Sequence, residues 1–143
     1  MSRQNVETVR RGLEAWNIAL ADADEATRRS ALLGVAATFH PDAELDFSRT
    51  TPDYAPTRGT HAMIAWTEAA RETLVGIQVE PTRFIDTDDA VVVVLRFAGE
   101  GVSSGAQTAM EVNWAVRFTA GKVSSATSFP TLPEALKAVG VEE

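Results

Sequence analysis

The chain contains no cysteine, one tyrosine and two histidines in 143 residues. The missing cysteine excludes disulfides, thiolate nucleophiles and zinc–thiolate centres. The histidines, His40 and His61, are far apart in sequence, and neither lies in a run of carboxylates. No metal site and no cofactor are therefore expected. Basic residues are in the minority: 13 Lys and Arg stand against 20 Asp and Glu, for a net charge of −7. Such a chain repels phosphate backbones, which argues against nucleic acid as a partner. Long apolar runs are also lacking. The longest, Ala90 to Leu95, falls far short of the roughly 20 residues that span a bilayer. The N-terminus mixes charge with apolar residues and does not resemble a signal peptide, so a cytoplasmic protein is expected. Gly99, Gly101 and Gly105 precede no helix, so they do not form a phosphate-binding loop.

The length suits a single domain over residues 1–143. A domain of that size buries about two-thirds of its unfolded surface and needs no covalent staples. Val6, Val9, Leu13, Trp16 and Leu20 recur in steps of three and four and make one apolar stripe on a first helix, with Ser2 as its expected N-cap. Asp22 and Asp24 offer a break and a new cap. A second helix then carries Leu32, Val35, Ala36 and Phe39 on one face and is expected to stop before Pro41. Ala43 to Ser48 alternates apolar and polar, the pattern of a short strand. Residues 49–59 hold two prolines and a glycine and read as a loop. Thr60 is the expected cap of a third helix that turns Met63, Trp66, Ala70 and Leu74 inward and ends at Gly76.

Beyond Gly76 the pattern changes. Ile77–Asp86, Ala90–Ala98, Thr108–Phe118 and Lys122–Phe129 read as four strands joined by short polar or glycine-rich turns, an antiparallel meander. Thr131 and Glu134 have capping-box spacing for a last short helix reaching Val139, with Gly140 at its end. Helices first and strands after indicate α+β rather than alternating α/β.

This order resembles the SnoaL-like group of the nuclear transport factor 2-like superfamily. The resemblance rests on Asn5–Arg11, on Phe39–Ser48 (FHPDAELDFS), and on Arg58-Gly59 before the third helix. It continues through Phe84-Ile85-Asp86, the turn Thr119–Val123 and the tail Pro133–Gly140. It implies a cone-shaped α+β barrel, a curved and mostly antiparallel sheet wrapped around the N-terminal helices and enclosing a pocket. It also implies a homodimer through the outer sheet face. The family includes polyketide cyclases, ketosteroid isomerases, dehydratases, epoxide hydrolases and many pocket proteins of unknown role, so fold alone assigns no reaction. The isomerase positions for the base, the oxyanion tyrosine and the second oxyanion acid align with Phe47, Gly12 and Trp114. None is retained, and the cyclase acid and histidine are absent near Trp114.

Asp46 is the acid to watch. Facing an apolar cavity, its pKa would rise and suit general acid–base work; strand alternation instead favours Leu45 and Phe47 inward and Asp46 outward. His40 is either a base or a partner for the last carbonyls of a helix. Trp16, Phe39, Phe47, Met63, Trp66, Met110, Trp114 and Phe129 are expected along the pocket wall, and Tyr54 in the loop above it. Arg96 is either an anion anchor or an outer-face partner of Glu111. The reading preferred from sequence is a domain that binds a small hydrophobic molecule in a largely apolar pocket. The alternatives are a cofactor-independent lyase, isomerase or hydrolase with Asp46 as acid/base, and a structural homodimer with a vestigial cavity.

Overall fold

In a computed structural model, residues 2–21, 24–50, 55–87, 89–101 and 104–141 are described. The apolar stripe from Val9 to Leu20 builds helix α1 (Ser2–Leu20), with Val9, Leu13, Trp16 and Leu20 buried. Ser2 is the first residue of the helix and not its cap. Helix α2 (Glu25–Ala37) starts where expected: the Asp24 carboxylate accepts from the Thr27 N–H at 2.8 Å. It ends sooner than the sequence suggested. The Thr38 N–H and hydroxyl both return to the Val35 carbonyl, at 3.0 and 2.7 Å. Phe39 therefore opens strand β1 (Phe39–Asp46) instead of closing a helix, and Pro41 lies inside that strand. Pro41 is tolerated because the pairing of β1 with its neighbour breaks between Phe39 and Glu44, where no ladder donor is required.

A two-residue strand, β2 (Thr57–Arg58), interrupts the expected loop, and α3 (Thr60–Thr73) follows with Gly59, not Thr60, at the N-cap. Tyr54 lies outside the described residues. The meander comprises β3 (Leu74–Asp86), β4 (Ala90–Gly101), β5 (Gln107–Thr119) and β6 (Lys122–Phe129). Gly76 does not end α3; it lies within β3. Strand order is β2-β1-β6-β5-β4-β3, antiparallel throughout except for the parallel pair β1–β6. Register shifts in β3 and between β5 and β6 bend the sheet into a cone-shaped α+β fold.

The inner face, with Val91, Val93, Leu95 and Phe97 of β4 and Val112, Trp114 and Val116 of β5, packs on the three helices. On the outer face, α4 (Leu132–Ala138) buries Ala135 and Leu136 against Val92, Ala115 and Phe129. Thr131 caps α4 by accepting from the Glu134 N–H, and Pro133 stands in its first turn. Among the described residues, no helix is long and apolar enough to cross a membrane.

Candidate functional site

The middle of the cone is occupied by aromatic rings. Trp16 of α1 meets Trp66 of α3 with ring centroids 4.7 Å apart, and Phe97 and Trp114 at 5.8 Å each. Phe47, just past β1, stacks on Trp114 at 5.0 Å with 16° between the planes. The indole N–H of Trp16 is satisfied by the Thr67 hydroxyl at 2.8 Å. These rings leave an apolar interior cavity of about 30 Å³, lined in part by Gly12, Phe39, Met63 and Trp114. That is space for one or two waters and not for a ring compound. Gly12 and Trp114 both line this cavity, and Phe47 is joined to it only by its stack on Trp114. They form a packed wall there: a Cβ on Gly12 would stand 3.2 Å from the Thr38 hydroxyl, so no tyrosine fits at that position without displacing Thr38.

The larger apolar space lies beside this block. A cleft of about 290 Å³ opens between α3 and strands β3–β5. Its walls include Trp66, Leu74, Ile77, Phe97 and Met110, Thr108 supplies a hydroxyl, and none of the described lining residues has an ionisable side chain. Met110 is 43% exposed and forms the lip. The single pocket expected from sequence is thus divided. Trp16, Phe39, Met63 and Trp114 line the small interior cavity, Trp66 and Met110 line the cleft, and Phe47 is in ring contact with Trp66 and Trp114.

Phe129 is not part of either wall. It faces outward under α4, with the Arg49 guanidinium 5.1 Å from its ring centroid. Ser128 points inward instead, bonded to the Thr50 hydroxyl at 2.8 Å. Phe97, Leu74 and Ile77 complete the cleft. Phe97 was legible as a member of the face opposite Val92, Val94 and Arg96.

Leu45 and Phe47 are buried, and Asp46 between them lines a surface groove with Glu44, Arg58, Ser125 and Thr127. Its carboxylate accepts from the Ser48 hydroxyl at 2.6 Å, the Ser48 N–H at 3.0 Å and Arg49 at 3.1 Å. The Ser48 hydroxyl first, then the Ser48 N–H and Arg49, hold its pKa below the ordinary carboxylate value against an opposing push from partial burial. This direction is opposite to the one a buried general acid needs. His40 lies half-buried in β1, where its Nδ1 accepts from the Asp42 N–H at 3.3 Å. Arg96 is exposed on the outer face, directly opposite Glu80 on β3 and Glu111 on β5.

Residues 9–126 match the SnoaL-like domain family, and the chain belongs to it. No protein of curated function matches the sequence. Among solved structures, a nuclear transport factor 2-like protein of unknown function from Burkholderia pseudomallei superposes with a TM-score of 0.71 at 21% identity, over 99% of this chain and 100% of that one. A protein of ketosteroid isomerase-like fold from Catenulispora acidiphila, in complex with trimethylamine, gives a TM-score of 0.69 at 15% identity, over 94% and 93% of the two chains. TerC, co-crystallised with polyporic acid, gives 0.70 at 17% identity, over 90% and 92%. At these identities the likeness establishes the fold.

Proposed function

We propose that this SnoaL-like protein binds a small, neutral, ring-containing molecule in the cleft between α3 and β3–β5. The observation that carries the reading is the cleft itself: about 290 Å³ of space whose described lining contains no ionisable side chain. Apolar walls with one hydroxyl favour neutral apolar ligands, because a charge placed there would lose its hydration without gaining a partner. The trimethylamine complex of the Catenulispora protein and the polyporic acid complex of TerC support small-molecule binding in this fold but not the ligand class, since one ligand is an acyclic amine and the other an acid, and both belong to those proteins.

Binding is preferred to catalysis by Asp46. A general acid or base must reach the ligand, whereas Asp46 faces the surface groove and its oxygens engage Ser48 and Arg49. A homodimer through the outer sheet face belongs to the same reading. On that face Glu80, Arg96 and Glu111 form a charged row across β3, β4 and β5, which a second copy offset by one strand would meet with opposite charges. The acidic, cysteine-free composition is consistent with a cytoplasmic setting.

Thermal shift with neutral ring compounds tests the binding function. A ligand at one hundred times its Kd stabilises by about 2.7 kcal/mol, a rise of roughly 5–10 °C for a chain of this size. Met110→Glu, at the half-exposed lip, is expected to leave the unliganded Tm nearly unchanged and to remove most of that rise. An equal rise in wild type and variant would place the ligand elsewhere.

A further inference from the structure

We infer that the bulge at Gly76–Ile77, with the bare Cα of Gly99 opposite it, sets the ring size that the cleft accepts. The inference rests on the binding function proposed above and names its ligand class, a fused two-ring system without charge. Gly99 is the specificity-determining residue and Gly76 a positioning residue.

Pairing of β3 with β4 shows the device. Val75 stands opposite Glu100 and Gln78 opposite Ala98, so two residues, Gly76 and Ile77, face the single Gly99. In a regular strand, residues three apart point to opposite faces. Leu74 and Ile77 are three apart, yet both line the cleft. The extra residue in the bulge turns both side chains to the same side. Gly76 makes this possible with φ at +64°, a left-handed conformation that glycine adopts freely. A Cβ at Gly76 would meet nothing within 4 Å, so any cost of a side chain there acts through the backbone and not through crowding.

Gly99 acts by the absence of a side chain. A Cβ there would lie 3.3 Å from Leu74 Cβ and 3.4 Å from Ile77 Cα. An added methyl must occupy part of the floor or displace Leu74 and Ile77, two residues of the cleft wall. Phe97, two residues earlier on the same face of β4, and Trp66 stand 6.0 Å apart at 63° and confine the other side. The volume is near the lower end for organic-ligand pockets. A fused two-ring compound uses that space, and a single ring leaves part of it empty. Narrowing the floor therefore penalises the larger ligand selectively.

Isothermal titration calorimetry of the full chain with 2-naphthol and with phenol tests this. Wild type is expected to bind 2-naphthol more tightly. Gly99→Ala should weaken 2-naphthol by about 10-fold or more and phenol by less than about 3-fold, the scale of one methyl in a fitted pocket. Gly76→Ala, a change at an exposed position, should also reduce the 2-naphthol-to-phenol preference. Gly76→Asn, which tolerates the left-handed conformation, should preserve it. A general loss of stability would weaken both ligands alike and leave their ratio unmoved. Wild type that binds neither probe overturns both the binding function and this inference. Wild type that prefers 2-naphthol, with Gly99→Ala and Gly76→Ala retaining its ratio, overturns this inference alone.

Discussion

The indole N–H of Trp16 on α1 donates to the Thr67 hydroxyl on α3 at 2.8 Å, and that hydroxyl donates in turn to the Met63 carbonyl at 2.7 Å. Both side chains are almost wholly buried. This pair fixes the orientation of the ring at the centre of the aromatic block, and so the wall that separates the interior cavity from the cleft. Thr67→Val keeps the shape and removes the acceptor. The stranded indole N–H should cost about 1–3 kcal/mol, read as a lower urea midpoint with unchanged slope. Thr67→Ser retains the hydroxyl and should lose less.

Phe129 contributes to stability without touching the cleft. Its ring packs with Val92, Ala115 and Leu136 beneath α4. Phe129→Ala should destabilise by about 3–5 kcal/mol, while the affinity for a cleft ligand stays at the wild-type value. A parallel fall in affinity, measured by calorimetry on the folded variant, would return Phe129 to the ligand wall.

Asp46 has a pH signature. Its pKa is lowered in the folded state, so its contribution to stability is fully present above the unfolded carboxylate pKa of about 3.9 and fades as pH falls through the lower folded value. Asp46→Asn should therefore be less stable than wild type at pH 7, and the difference should shrink steadily below about pH 4. Urea unfolding at a series of pH values checks the sign. If Asp46 instead sat in an apolar cavity with a raised pKa, the substitution would stabilise at neutral pH.

Much of the fold was legible because local signals agreed with tertiary packing. The stripe from Val9 to Leu20, the Asp24 cap and the Thr131–Glu134 box each specify one element with a local physical cause. Strand alternation likewise favoured Asp46 outside and Leu45 and Phe47 inside, while leaving Asp46 open as a candidate acid. The misreadings share another cause. Phe39 fits a helical stripe and also a strand start, and only the return of Thr38 to Val35 decides between them. Gly76 looks like a helix terminator because left-handed glycine serves both a helix end and a bulge. Phe129 shares its alternation with Val123. However, Phe118 pairs with Val123 and Arg117 with Ser125, so β6 carries one extra residue and everything beyond it changes face. Bulges are invisible to periodicity, and the cleft depends on one. The sequence proposed Trp16, Trp66 and Trp114 as wall residues but could not show that they pack against each other and leave the larger space to one side.

The central claim is that the ligand site is the cleft beside the aromatic block. Its most direct test is a titration of the isotopically labelled protein with 2-naphthol, followed by amide and indole chemical shifts. The account predicts that the largest changes fall on the Trp66 indole and on the amides of Ile77, Phe97, Gly99 and Met110, with the amides of Asp46, Ser48 and Arg58 unmoved. Shifts concentrated on Asp46 and its groove, or on Gly12 and Phe39 around an opened interior, would contradict it.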